Sequence, residues 1–479
     1  MAKQIQEDIS VSKAMIIKVK NLGALRQAEF CLGGLTIICG ENNTGKTYAT
    51  YALFGFLHTW RKMLSVEIDS NKINQLLSEG SVRIDLQEYI KQTKQILIQG
   101  CQVYTKELPK IFAAPVERFN EPKKETEFNV NIEMESTHFK RKFQMIMGST
   151  NAELFSITKI EESAEIVITL LVEKEKVEIP HSIISEIIAS AIKEIIFTPF
   201  LPRPFIASAE RTGTVIFRKE LNFARNRLLE EMSQSGKNIN RMELLFKVYQ
   251  DYALPIEENV DFARELETLF KKRSFISEVH PNLLTDFADI IGGEYIVTSN
   301  DELYYVPKGK RVKLSMDEGS SAVRSLLHLG FYLRHEAQEG DLLIVDEPEL
   351  NLHPENQRRI VRLFARLVNI GIKVFVTTHS DYIIKELNTL IMLNHDKPHL
   401  KRIAAAEGYR PEELISSEKI KVYIAQEDSV LLEGKARRSK VQTLSSADID
   451  PEMGIKANSF DKTIETMNRI QEQIVWGED

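Results

Sequence analysis

The sequence predicts an α/β fold organised on a core sheet that carries a phosphate-binding loop, and three apolar runs predict it. Leu35–Cys39 leads into a glycine-rich loop, Asp341–Glu347 (DLLIVDE) ends in two acids, and Lys373–Thr377 ends in Thr378-His379-Ser380. Each run is short, apolar and followed by polar side chains. That is the pattern of a buried strand presenting functional groups at its end.

The loop comes first. Gly40-Glu41-Asn42-Asn43-Thr44-Gly45-Lys46-Thr47 satisfies G-x-x-x-x-G-K-[ST] at every fixed position. The glycines let the backbone close on a triphosphate, so that N–H groups from Asn42, Asn43 and Thr44 and the following helix N-terminus meet its oxygens. Lys46 would reach the β- and γ-phosphates, and the Thr47 hydroxyl would ligate Mg²⁺. A chance glycine-rich turn is the alternative. The strand before the loop and the helix expected from Tyr48 to about Leu64 weigh against it.

Around this loop, residues 15–20 (MIIKVK) alternate and precede the turn Asn21-Leu22-Gly23, and a second strand is expected at about Ala28–Leu32. A polar helical stretch is expected near Ile73–Ile98, then alternating segments at Glu127–Met134 and Ala164–Val172. Phe205–Arg211 opens a new region after Leu201-Pro202-Arg203-Pro204. It reads either as a buried strand delivering Glu210 and Arg211 to a site or as a strand with an ordinary surface ion pair. Residues 215–290 carry apolar spacings of three and four (Leu228, Met232; Leu244, Leu245, Val248), with a polar break at Ser233–Asn240. They read as a helical hairpin or arm too short for a long coiled coil. Gly292-Gly293 and the alternation from Glu294 to Val306 predict a β-hairpin.

The remaining chemistry lies in the second half of the chain. Asp346 would bind Mg²⁺ through water and Thr47, and Glu347 would polarise an attacking water. Pro348–Pro354 (PELNLHP) makes a rigid polar turn placed where a second subunit could be met. His379, at a strand's carboxyl end, either hydrogen-bonds a γ-phosphate or is a satisfied structural histidine. Ser320 and Ser321 open a helix expected to continue through Leu333, where they make an anion site or act only as N-caps.

The chain has 479 residues and a formal net charge of −7, so it is no obvious polyanion binder as a whole. Two basic patches, Lys308, Lys310, Arg311 and Lys313, and Lys435, Arg437, Arg438 and Lys440, fit either solvated surface or a local nucleic-acid contact. Three cysteines without regular spacing argue for a reducing compartment and against a thiolate metal site. The polar start MAKQIQEDIS and the interruption of the apolar run Ile183–Phe197 by Glu186, Lys193 and Glu194 predict a soluble cytoplasmic protein with no membrane contact.

Phosphate loop, serine-rich helix start, DE strand and strand-end histidine, in that order, resemble ABC-class ATPases of the SMC, Rad50 and RecF kind. ENNTGKT, GEYIV with ELYYVPKGK, GSSAVRSL, VDEPELNLHP and TTHS are similar to the narrower AAA15 and OLD-like group. The likeness covers most of residues 14–400. It implies an N-terminal ATPase lobe at 14–212 with the Walker A loop, strand-rich with inserted helices, a helical arm at 213–290, and a C-terminal lobe at 291–400 with signature, Walker B, D-loop and H-loop. A strand and helix extension occupies 401–479.

The resemblance also implies ATP and Mg²⁺ as cofactors and a head-to-tail dimer with two shared sites, within a higher homo-oligomer. Ser320 and Ser321 would touch the γ-phosphate in trans, Asn351 and His353 would lie in the D-loop, and His379 would be the switch histidine. The signature reads GSSAV where transporters have LSGGQ, so which serine makes the contact stays open. OLD nucleases carry a C-terminal TOPRIM domain. Here about eighty residues come after Leu400, reading as a strand at Lys419–Ala425, a loop and a helix near Phe460–Val475. The pattern is most similar to the AriA-type ATPase subunits of PARIS antiphage defence. That implies a separately encoded TOPRIM-type nuclease effector and a phage trigger protein as partners. The alternative is a RecF- or Rad50-like repair ATPase acting directly on DNA.

Overall fold

The computed structural model describes residues 15–121, 124–132, 142–149, 152–171, 180–217, 252–298, 302–455, 466 and 469–473. The chain divides into two units, one of residues 1–18, 56–107 and 127–202, the other of residues 19–55, 108–126 and 203–479.

The second unit is built on a six-stranded sheet in the order Pro204–Ala207, Leu342–Asp346, Lys373–Thr378, Leu35–Cys39, Ile420–Leu431 and Arg438–Ser446. Its first five strands are parallel and the last is antiparallel. Every residue of Leu35–Cys39 and of Leu342–Asp346 is buried. A parallel sheet covered on both faces requires this, and it explains why these strands read as continuous apolar runs. The register aligns their carboxyl ends: Cys39 lies opposite Thr378, Asp346 opposite Thr377, and Val345 opposite Ala207. Polar groups that cannot sit within such strands therefore collect at one end of the sheet.

Helix Pro354–Asn369 buries Ile360, Val361, Leu363, Phe364 and Leu367. It shares one apolar core with Leu387, Leu390 and Ile391 of helix Asp381–Leu393 and with the sheet. The expected hairpin forms: Gly293–Val297 pairs antiparallel with Leu303–Pro307, and Tyr305 of that pair faces Leu314. The first unit has a four-stranded antiparallel sheet in the order Ser81–Asp85, Glu165–Leu170, Ala152–Lys159 and Phe143–Ser149. Helices Ser70–Glu79 and His181–Phe197 belong to the same unit.

Three expectations need correction. The helical stretch near Ile73–Ile98 is interrupted, because Gly80 closes helix Ser70–Glu79 in a left-handed conformation and Ser81–Asp85 is a strand of strictly alternating burial. The helix expected to run from Ser320 through Leu333 is broken into Ser321–Ser325, Leu327–Phe331 and a π-helical turn at Tyr332–Glu336. The strand expected at Lys419–Ala425 extends to Leu431 and turns back as the edge strand Arg438–Ser446. Arg438 and Lys440 of the second basic patch thus belong to a sheet edge, where charged side chains discourage further pairing.

Of the predicted arm, residues 218–251, including Leu228, Met232, Leu244, Leu245, Val248 and the Ser233–Asn240 break, lie outside the described residues. The described remainder of the arm region holds the end of helix Arg211–Ile216 and helices Leu254–Arg264, Leu266–Leu269, Phe275–Val279 and Pro281–Ile291. Of the helix expected near Phe460–Val475, only 466 and 469–473 are described, and these are helical. Among the described residues no helix is long and apolar enough to cross a membrane.

Candidate nucleotide site

The loop has the backbone its spelling demands. Gly40 has φ +146°, and a Cβ there would lie 2.6 Å from the Ala425 carbonyl oxygen. Gly45 has φ +96°, with Leu25 Cγ 2.7 Å from where a Cβ would be, and Asn43 is left-handed at φ 63°. Only glycine fits the first two positions. Lys46 opens helix Lys46–Met63 and is buried, with Nζ donating to the carbonyls of Gly40 (2.9 Å) and Glu41 (2.7 Å). Burial pulls its pKa down, against the fields of Glu347, Asp346 and Glu349. Thr44 donates to the Glu41 carbonyl at 2.7 Å, and Gln442 of the edge strand donates to the Thr44 carbonyl at 3.2 Å. Asn42, Asn43 and Thr47 are exposed.

The acids meet this lysine. Asp346 ends its strand almost wholly buried, and the Thr377 hydroxyl donates to its Oδ1. Its Oδ2 has no hydrogen-bond partner among the described residues. Burial, with Glu347 and Glu210 nearby, pushes the Asp346 pKa up to about 6. Glu347 adopts φ 51°, a conformation uncommon for a residue with a side chain, and its N–H donates to the Thr377 carbonyl at 3.1 Å. Its Oε1 lies 3.5 Å from His379 Nδ1.

Glu349, read from the sequence only as part of a turn, is a third acid of the cluster. It is buried, its Oε1 accepts from the Thr378 hydroxyl and the His379 N–H at 2.8 Å each, and it lies 3.4 Å from His379 Nδ1. Its Oε2 is buried without a partner among the described residues. His379 thus joins the acidic turn to the end of its own strand.

Arg211 is no surface ion pair. It is 1% exposed, and its guanidinium donates to four carbonyls: Ser208 (2.9 Å), Ser325 (2.7 Å), Asp346 (2.6 Å) and Glu347 (2.9 Å). Burial lowers its pKa to about 10 while Asp346, Glu349, Glu347 and Glu210 act to raise it, so it stays charged at neutral pH. Glu210 accepts a 2.9 Å hydrogen bond from the Tyr51 hydroxyl, on the helix that follows the loop. The signal for this pair in the sequence was its position just after a buried strand, on the same side of the sheet as the loop.

The other predicted residues stay at the surface. Ser320 caps the helix at Ser321, accepting from the Val323 N–H at 3.3 Å, and both serines are exposed. Ser325, at the far end of this short helix, donates from Oγ to the Leu350 carbonyl at 3.2 Å, which ties the helix to the acidic turn. Asn351 is exposed with φ 61°. His353 is exposed and caps helix Pro354–Asn369, its Nδ1 accepting from the Glu355 N–H at 3.3 Å. The structure therefore gathers Gly40 to Thr47, Asp346, Glu347 and His379, and leaves Ser320, Ser321, Asn351 and His353 facing outward.

The model of the AAA_15 family, an AAA ATPase domain, matches residues 15–384. The chain belongs to this family. No curated protein matches it. Among solved structures, this AAA_15 ATPase is similar to an Smc head domain with an extended coiled coil bound to the C-terminal domain of ScpA from Pyrococcus furiosus, with 13% identity, 96% of this chain and 99% of that one covered, and a TM-score of 0.34. It is also similar to the SMC head domain from Thermotoga maritima, with 10% identity, 90% and 99% covered, and a TM-score of 0.30.

An AAA_15 ATPase hydrolyses ATP with Mg²⁺, and the residues present fit both. A lysine whose hydrogen bonds among the described residues go to the carbonyls of its own loop can exchange them for phosphate oxygens. The buried, unpartnered Asp346 Oδ2 is an acceptor suited to a divalent cation or a water on it.

Proposed function

We propose that this ATPase is a switch of the ABC type in which two chains meet head to tail and share two ATP sites. The observation that carries the proposal is the division within one chain between a cluster built around the buried Lys46 and Asp346 and the half-buried Glu347, and the exposed serines Ser320 and Ser321. In each site the loop N–H groups of Gly40 to Lys46 and the Lys46 ammonium hold the phosphates. Thr47 and Asp346 would hold Mg²⁺, which would offset the phosphate charge. Glu347 accepts a proton from the attacking water, and His379, beside Glu347 and Glu349, donates toward the γ-phosphate. The partner chain brings Ser320 and Ser321, with Asn351 and His353 at the seam. A cavity of about 440 Å³ lined by Asn21, Leu25, Arg26, Tyr48, Arg118 and Phe119 adjoins the loop and would take the nucleoside.

ATP then favours the closed dimer because only that state brings the serines to the phosphate, and hydrolysis removes the bias. The motif resemblance extends this reading to cytoplasmic antiphage defence of the PARIS kind, with a separately encoded TOPRIM-type nuclease held until a phage protein triggers release. The test is sedimentation of the Glu347→Gln chain with and without ATP and Mg²⁺. An ATP-dependent doubling of mass that Ser321→Arg abolishes supports the shared site, whereas a mass indifferent to ATP contradicts it. For the defence reading, the chain expressed with its neighbouring genes should copurify with a nuclease. DNA-stimulated turnover without such a partner would favour direct action on DNA.

A further inference from the structure

We infer that Arg211 couples the two ATP sites of such a dimer, as a positioning residue joining the serine helix to the turn that carries Glu347. The inference rests on the shared-site reading of the proposed function. In a head-to-tail pair, the Ser320 and Ser321 of one chain serve the nucleotide on its partner, whereas that chain's Glu347 serves its own nucleotide. Anything that rigidly links the two within one chain therefore links one ATP site to the other.

Arg211 has the geometry of such a link. A single buried guanidinium holds the carbonyl of Ser325, at the end of the helix Ser320 caps, and the consecutive carbonyls of Asp346 and Glu347. It also holds the Ser208 carbonyl, at the end of the neighbouring strand. Ser325 adds a direct bond from its hydroxyl to the Leu350 carbonyl in the same turn. Glu347 is held at φ 51°, so its carboxylate direction depends on what fixes the peptide on either side of it. A shift of the serine helix toward a partner's phosphate must then move the Ser325 carbonyl, and with it the planar fork that orients Glu347.

The fork is specific to arginine. Its three nitrogens donate in fixed directions, and a lysine, with one nitrogen, cannot span three separate segments. The four groups that the Arg211 guanidinium bonds are all main-chain carbonyls, so its role is to fix backbone positions.

Arg211→Lys provides the first test, with ATP binding, ATP-driven dimerisation and the Hill coefficient of hydrolysis measured together. The expected result is near-native ATP affinity, retained dimerisation, a kcat lowered about tenfold or more, and a Hill coefficient falling from near 2 toward 1. Native cooperativity in an Arg211→Lys dimer would overturn the coupling while leaving the shared site intact. A wild-type chain that does not dimerise with ATP would overturn both.

A second test leaves Arg211 untouched, in case its replacement does not fold. Mixed dimers are formed from one wild-type chain and one Ser320→Ala/Ser321→Ala chain, at concentrations where sedimentation shows the dimer intact, and their turnover is compared with the wild-type dimer. Coupling predicts roughly a quarter or less of wild-type turnover, because the site that retains good serines depends on a Glu347 linked to the damaged helix. Half of wild-type turnover would show the sites to be independent and the inference wrong.

Discussion

Two parts of the second unit differ in how finished they are. Lys46, Asp346 and Glu349 are 6%, 1% and 7% exposed and sit among hydrogen bonds that fix them. Ser320, Ser321, Asn351 and His353 are exposed, and the side chains of Ser320 and His353 make local capping bonds. The first group lies at or just beyond the carboxyl ends of strands with largely apolar interiors in a parallel sheet. The second is positioned by short helix starts and left-handed turns that need no partner within the chain. Chemistry that must be exact is built into the sheet, and chemistry that must meet another molecule is left on the surface.

The contrast can be broken most severely at Glu347. Glu347→Gln should lower kcat by about 100- to 10,000-fold, the range of a lost general base, with ATP affinity unchanged. Parallel turnover and nucleotide-binding measurements check this, and equal losses in both would place Glu347 in binding. Lys46→Ala should weaken ATP binding on the order of 100-fold by calorimetry, since charge-assisted bonds to phosphate are lost. The fold should survive, because among the described residues Nζ bonds the carbonyls of its own loop.

Asp346 sharpens the comparison through pH. Its pKa in the nucleotide-free fold is raised to about 6 from an ordinary 3.8, so the folded chain holds a proton that the unfolded chain releases. Its contribution to stability is therefore present below about pH 4 and lost as pH rises through 6, a difference of about 3 kcal/mol. Asp346→Asn should accordingly raise the melting temperature of the nucleotide-free protein at pH 8, with no gain near pH 4, and should abolish Mg²⁺-dependent turnover. A melting temperature that falls at pH 8 would contradict the burial argument. In the wild type, binding of Mg²⁺ and ATP to the empty site should release a proton below about pH 6, because the carboxyl must be ionised to serve the metal, and calorimetry in buffers of different ionisation enthalpy checks this.

The smallest effect belongs to the exposed side. Ser320→Ala and Ser321→Ala should each weaken ATP-driven association by about tenfold or less, one neutral or charge-assisted bond, while ATP binding to the isolated chain stays unchanged. The serine whose replacement costs more identifies the residue that contacts the nucleotide in trans.

The sequence made legible those parts of the site that depend on local spelling. Gly40, Gly45 and Lys46 are fixed by the backbone the loop must adopt, and Asp346, Glu347 and His379 by ending strands that read as unbroken apolar runs. Arg211, Glu349 and Thr377 were legible only as neighbours of motifs, because their roles are made by contacts across the fold. Arg211 reaches a carbonyl 135 positions away, and Thr377 a carboxylate 31 positions away. The strand Ser81–Asp85 was hidden between two helices, since five residues of alternation are easily absorbed into a helical pattern until Gly80 is recognised as a left-handed stop. The edge strand Arg438–Ser446 was hidden by its charges, which mark a sheet margin as readily as an open surface.

The central claim is that one chain holds two halves of different sites, and specific ATPase activity measured against chain concentration tests it most directly. The account predicts activity per chain that rises with concentration to a plateau, in step with ATP-dependent dimer formation. Activity per chain that stays constant down to concentrations where sedimentation finds only monomer would contradict it.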